Sequence, residues 1–195
     1  AVGLLNALHA YRGERVSPGQ LAEEATHIEI EVLKEPIGKQ DQYAAAFGGL
    51  NFFRFNPGGA VTVEPVRASH KFINSLFDHV LMFWTGLQRD ASSVLVEQRR
   101  NIPDKLEHLK KMRVHAHELQ TLAGRDQFDP VAFGRILHES WSLKRQLAST
   151  MSSSRIDELY ELALGAGAEG GKICGAGNGG FLLFIVKPEK QPAVR

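Results

Sequence analysis

The chain has 195 residues, 43% hydrophobic and 23% charged, with a formal net charge of +1. That length can bury a sizeable core, as one large domain or two small ones, and the composition is ordinary for a globular protein. A charge so close to zero argues against nucleic acid or an anionic membrane as partner, and no apolar run approaches the roughly 20 residues that span a bilayer. One cysteine, Cys174, excludes an internal disulfide, which suits a reducing cytoplasm. No stretch reads as a signal peptide.

Residues 2 to 12 are helix-patterned from the outset, with Leu4, Leu5 and Leu8 on one face and Gly13 as stop. No capping residue or initiator Met stands ahead of them, so the chain is expected to be part of a longer protein. Ser17-Pro18 is a cap followed by proline, and predicts a helix over 18–34 with Leu21, Ala25, Ile28 and Val32 inward. Most of its polar residues (Glu23, Glu24, His27, Glu31, Lys34) read as solvated, but Glu29 lies close to the apolar stripe. Pro36 ends this helix and leads into a loop around Asp41. A short helix over 44–47 is stopped by Gly48-Gly49. Residues 50–55 and 60–66 flank Asn56-Pro57-Gly58-Gly59 as a β-hairpin. After an irregular stretch over 72–76, residues 78–85 have the continuous apolar character of a buried strand. Helices are predicted over about 90–100, 103–122, 130–147 and 154–166, and a last strand over 180–186, before a frayed tail. From residue 67 onward the order of strand, helices and strand fits an α+β sandwich, helices on one face of an antiparallel sheet, with a boundary near 65–70.

Two stretches can carry chemistry. Gly170 to Gly180 (GGKICGAGNGG) is either a loop whose bare amides approach phosphate or substrate oxygens, or a tight turn where helix and strand pack closely. It fits neither the Walker loop nor the dinucleotide fingerprint, since a helix precedes it and a strand follows. Asp41 is either a base that takes a proton from a hydroxyl or a turn former. Lys39 beside it either tunes that acid and neutralises phosphate charge or points to solvent.

Gly38-Lys39-Gln40-Asp41-Gln42-Tyr43-Ala44-Ala45-Ala46-Phe47-Gly48-Gly49 resembles the aspartate loop of the GHMP small-molecule kinases, the group of galactokinase, homoserine kinase and mevalonate kinase. Gly171 to Phe181 resembles that family's third, C-terminal motif, in the right order and roughly 130 residues later. With Met82-Phe83-Trp84-Thr85-Gly86 and Ser140-Trp141-Ser142-Leu143-Lys144, the wording is most similar to the branch acting on D-glycero-D-manno-heptose 7-phosphate. The likeness runs from residue 1 to residue 187, without the family's first two motifs.

The resemblance implies a GHMP kinase-like α+β fold. Residues 1–66 would close an S5-like, ATP-binding N-terminal domain, and 67–195 would form a ferredoxin-like C-terminal domain. It implies a cytoplasmic enzyme, active with ATP and Mg2+, that phosphorylates the anomeric hydroxyl of the heptose phosphate for GDP-heptose or surface-polysaccharide synthesis. Its partner is a small sugar phosphate, not nucleic acid or membrane, with a homo-oligomer left open. Asp41 and Lys39 would be catalytic and Glu29 the magnesium ligand, with Glu31 a weaker candidate. Gly38, Gln42, Thr85, Arg89, Gly175, Ala176, Gly177, Asn178 and Gly179 would bind substrate, although Arg89 also reads as an ordinary surface charge. The early loop and the late turn would have to serve one cleft. The upstream phosphate loop would supply most of the nucleotide site, so the isolated chain is expected to be inactive. Another member of the family, or a non-catalytic ligand-binding relative, is the alternative.

Overall fold

In the computed structural model, which describes residues 1–88 and 91–195, the chain divides into two units, Ala1–Val66 and Arg67–Arg195. The first contains helices α1 (Val2–Tyr11), α2 (Pro18–Thr26) and α3 (Gln40–Phe47), then the hairpin β1 (Asn51–Phe55) and β2 (Val61–Pro65). Ser17 caps α2 as expected, its Oγ accepting from Gln20 N at 3.2 Å. The helix predicted over 18–34 is not uniformly α. From His27 to Val32 the ladder widens into a π-helix, and Leu33 N donates to Ile28 O at 2.9 Å. The wider turn changes which side chains face inward. Leu21, Ala22 and Ala25 are buried, Val32 is 60% exposed instead of inward, and Glu29 is half-buried. A second correction concerns α3, which begins at Gln40, so Asp41 sits in its first turn and not in a loop. An acid there suits the positive end of the helix.

α1 is braced to its neighbours by His9. Its Nδ1 lies 2.6 Å from Glu14 Oε2 and its Nε2 2.7 Å from Glu24 Oε2. The Glu24 bond, then the Glu14 bond, raise the His9 pKa above its ordinary 6.5. The same bonds hold both glutamates below 4.5. A raised histidine stabilises the fold below 6.5 and loses that contribution as pH climbs through its folded value, whereas lowered carboxylates stabilise above 4.5 and lose theirs as pH falls. The melting temperature is therefore expected to peak between pH 4.5 and 6.5, and His9→Gln to flatten its alkaline flank. A thermal melt across pH checks this.

The second unit runs α4 (His70–His79), β3 (Val80–Trp84), α5 (Ala91–Asn101), α6 (Leu106–Ala123), α7 (Pro130–Lys144), α8 (Ser154–Gly165), β4 (Ala168–Ile173) and β5 (Phe181–Val186). A 3₁₀ turn at Pro188–Lys190 and the short α9 (Gln191–Val194) stand where a frayed tail was expected. The sheet is antiparallel in the order β3-β5-β4, with Leu81 opposite Phe184 and Gly171 opposite Phe184 on the other side. Leu81, Ile173, Leu182 and Phe184 pack with Trp141, Met151, Ile156 and Tyr160 in one core. The α+β class is as the sequence predicts.

Two elements differ from expectation. The stretch taken as irregular over 72–76 belongs to α4, capped by Ser69, whose Oγ accepts from Phe72 N at 3.1 Å. The first half of the glycine-rich run, Gly170 to Ile173, is not loop but most of β4. Glycine is needed there because α7 crosses the strand at close range. A Cβ on Gly134 of α7 would lie 2.7 Å from Glu169 Cβ, and one on Gly170 would overlap the Gly134 carbonyl. No helix among the described residues is long and apolar enough to cross a membrane.

Candidate functional site

The aspartate stretch contributes to a cavity in the first unit. Ala1, Val2, Glu29, Asp41, Gln42 and Ala45 line a space of about 220 Å³. Three elements build it: the first turn of α1, the π-turn after α2, and the first turns of α3. The π-turn brings Glu29 to the same cavity as Asp41, twelve positions later in sequence. The backbone nitrogen of Ala1 lies 4.0 Å from Glu29 Oε1. Asp41 is exposed, whereas Gln42 is only 4% exposed and its Nε2 donates to Glu29 Oε2.

The other expected residues of this stretch lie elsewhere. Lys39 does not line the cavity; its ammonium donates to Gly59 O in the hairpin turn at 3.0 Å. Gly38 also stays outside the lining and faces open space. Glu31 pairs with Lys34 at 3.7 Å and is not at the cavity.

Among the described residues no group of three or more His, Cys, Asp and Glu side chains is gathered to hold a metal. The donor set still fits Mg2+. That ion takes one or two carboxylates and completes its shell with phosphate oxygens and water, and Glu29 and Asp41 line the same cavity.

In the second unit the chain turns between Ile173 and Phe181. Ties to several neighbouring segments fix the turn. Asn178 N donates to Met151 O at 2.8 Å, Gly180 N to Leu87 O at 3.0 Å, Lys144 Nζ to Gly175 O at 2.6 Å, and Thr85 Oγ to Gly180 O at 2.8 Å. Thr85 Oγ also accepts from Leu87 N at 3.3 Å, so this hydroxyl helps to hold the turn. Asn178 is buried in left-handed backbone at φ 59°, and Gly175 and Gly177 also have positive φ. Backbone amides of Gly175, Ala176, Gly177 and Gly179 enter none of the loop hydrogen bonds found among the described residues. Such a run of unspent amides can accept oxygen ligands. Arg89 lies outside the described residues. Sequence reasoning gave no role to Lys144, Leu87 or Met151. Only the position of Lys144 at the end of a helix hinted that it could reach a carbonyl.

Comparison with known proteins agrees with these motifs. The profile of the GHMP kinases C terminal matches residues 119–195. The chain is 31% identical to a D-glycero-alpha-D-manno-heptose 7-phosphate kinase of Campylobacter jejuni, over 97% of this chain and 56% of that protein. It is 28% identical to a galactokinase of Thermococcus kodakarensis, over 97% of this chain and 59% of the relative. Among solved structures, a D-glycero-D-manno-heptose 1-phosphate kinase from Bacteroides thetaiotaomicron aligns with a TM-score of 0.75 at 26% identity, covering 99% of this chain and 52% of that one. The chain thus spans little more than half the length of these relatives. Residues 119–195 match the C-terminal domain of the GHMP kinases, and the chain is similar in sequence and fold to sugar kinases of that family.

Proposed function

We propose that the protein carrying this chain is an ATP-dependent sugar-phosphate kinase that phosphorylates the anomeric hydroxyl of D-glycero-D-manno-heptose 7-phosphate. The observation that carries this reading is the cavity in which Asp41, Glu29 and the first turn of α1 meet. Phosphoryl transfer needs little covalent help from a protein, and depends on positioning and on charge stabilisation. Asp41 takes the proton of the sugar hydroxyl as its oxygen bonds to the γ-phosphorus and the bond to the ADP oxygen breaks. Glu29, with Asp41 lining the same cavity, would hold Mg2+, which would neutralise charge on the phosphates. In the second unit, the unspent amides of Gly175, Ala176, Gly177 and Gly179 suit phosphate oxygens. Lys39 and Thr85 act on the scaffold: one ties the start of α3 to the hairpin, the other closes the late turn.

The heptose assignment rests on the likeness to the Campylobacter and Bacteroides kinases, and the galactokinase likeness supplies the competing reading. The test is a ³¹P NMR assay of the intact protein with ATP, offered heptose 7-phosphate, galactose, fucose and mevalonate separately. Heptose 7-phosphate is expected to give a new anomeric phosphate resonance at least 100-fold faster than the others, the discrimination a hydrogen-bonding site achieves. Transfer to galactose or fucose alone would make the protein a different sugar kinase. Transfer to none would leave a non-catalytic ligand-binding protein.

A further inference from the structure

We infer that Gln42 is a positioning residue whose side-chain amide fixes the carboxylate of Glu29 for cation binding; this rests on the magnesium role proposed above for Glu29. Gln42 follows Asp41 on α3 and is only 4% exposed. Its Nε2 donates to Glu29 Oε2, while Glu29 Oε1 is left on the side of Ala1, another residue of the cavity wall. A carboxylate only accepts, so the amide must turn its nitrogen toward Glu29 and its oxygen away. That oxygen is buried and has no hydrogen-bond partner among the described residues. An enclosed carbonyl without a donor is destabilising and offsets much of what the bond to the carboxylate contributes, so stability gives little reason for the amide here. Its effect is to hold one oxygen of Glu29 so that the other presents in a single direction. Outer partners of this kind orient metal-binding carboxylates, and their removal typically weakens metal binding about 10- to 100-fold.

The two acids share the cavity but differ in support. Gln42 is one residue from Asp41 in sequence, yet its donor goes to Glu29, thirteen positions away. The link thus couples the π-turn to α3.

The test uses Gln42→Met in the intact protein, with Mn2+ as probe in the presence of a non-hydrolysable ATP analogue, read by electron paramagnetic resonance. Mn2+ affinity is expected to fall about 10- to 100-fold, while the melting temperature holds or rises. The Mg2+ concentration needed for half-maximal turnover should rise in parallel. Glu29→Gln completes a double-mutant cycle: in that background Gln42→Met should add nothing. Unchanged Mn2+ affinity in Gln42→Met, or an equal loss with and without Glu29, overturns the inference. So does a steep fall in melting temperature, which would make the amide structural. If Glu29→Gln alone leaves Mn2+ affinity unchanged, the failure lies one step earlier, in the role given to Glu29.

Discussion

Asp41→Asn is expected to lower turnover about 10²- to 10⁴-fold, the range typical of a lost general base. Asparagine keeps the size and the hydrogen-bond acceptor of the side chain but cannot take up the hydroxyl proton. The substitution is mild for the fold. Asp41 is exposed, makes no cap bond, and sits in the first turn of α3. Removing its charge forfeits only the favourable interaction with the helix N-terminus, about 0.3 to 1 kcal/mol. Sugar affinity should therefore survive, and the loss should fall on kcat with KM little changed. That split matters, because a residue that merely oriented the sugar would raise KM as well. Steady-state kinetics alongside direct sugar binding provide the measurement. A near wild-type kcat would remove Asp41 from the chemistry, whatever else the cavity binds.

Capped helices were the most legible part of this chain. Ser17-Pro18, Asp129-Pro130 and Ser153 each carry the local signal, and in each case the side chain accepts the expected backbone amide. What escaped was fixed by distant partners. β4 reads as loop because Gly170 and Gly171 are poor strand formers, and the need for them arises only when Gly134 of α7 crosses the strand. α4 escaped because it passes into β3 without a Gly or Pro between His79 and Val80, although Ser69 did mark its start. Asp41 and Glu29 stood out as residue types. Their meeting in one cavity did not, since it depends on a π-turn that helical spacing does not reveal. What residue type did not reveal about Thr85 is its partner, the Gly180 carbonyl ninety-five positions away.

Gly177→Ala is the other change expected to be severe, because it strikes the late turn where nothing can yield. Gly177 has φ +111°, and a Cβ there would lie 2.5 Å from Met151 Sδ and 2.8 Å from Met151 O. Met151 is fully buried, and its carbonyl is the acceptor that fixes Asn178, so the turn must move and Met151 cannot. Overpacking of this kind costs about 1 to 3 kcal/mol, which in a protein of this size lowers the melting temperature by several degrees. The larger consequence is displacement of the Gly175 to Gly179 amides; a misplacement of about 1 Å can cost on the order of 100-fold in rate. Gly175→Ala is the control. It carries a comparable positive φ of +77° but has nothing within 4 Å of its Cβ, so only backbone strain of about 1 to 2 kcal/mol applies. Melting curves and kcat/KM for both variants separate strain from displacement. Equal activity loss in the two would mean that any rigid residue disrupts the turn, and an active Gly177→Ala would mean that the position of these amides does not matter to the reaction.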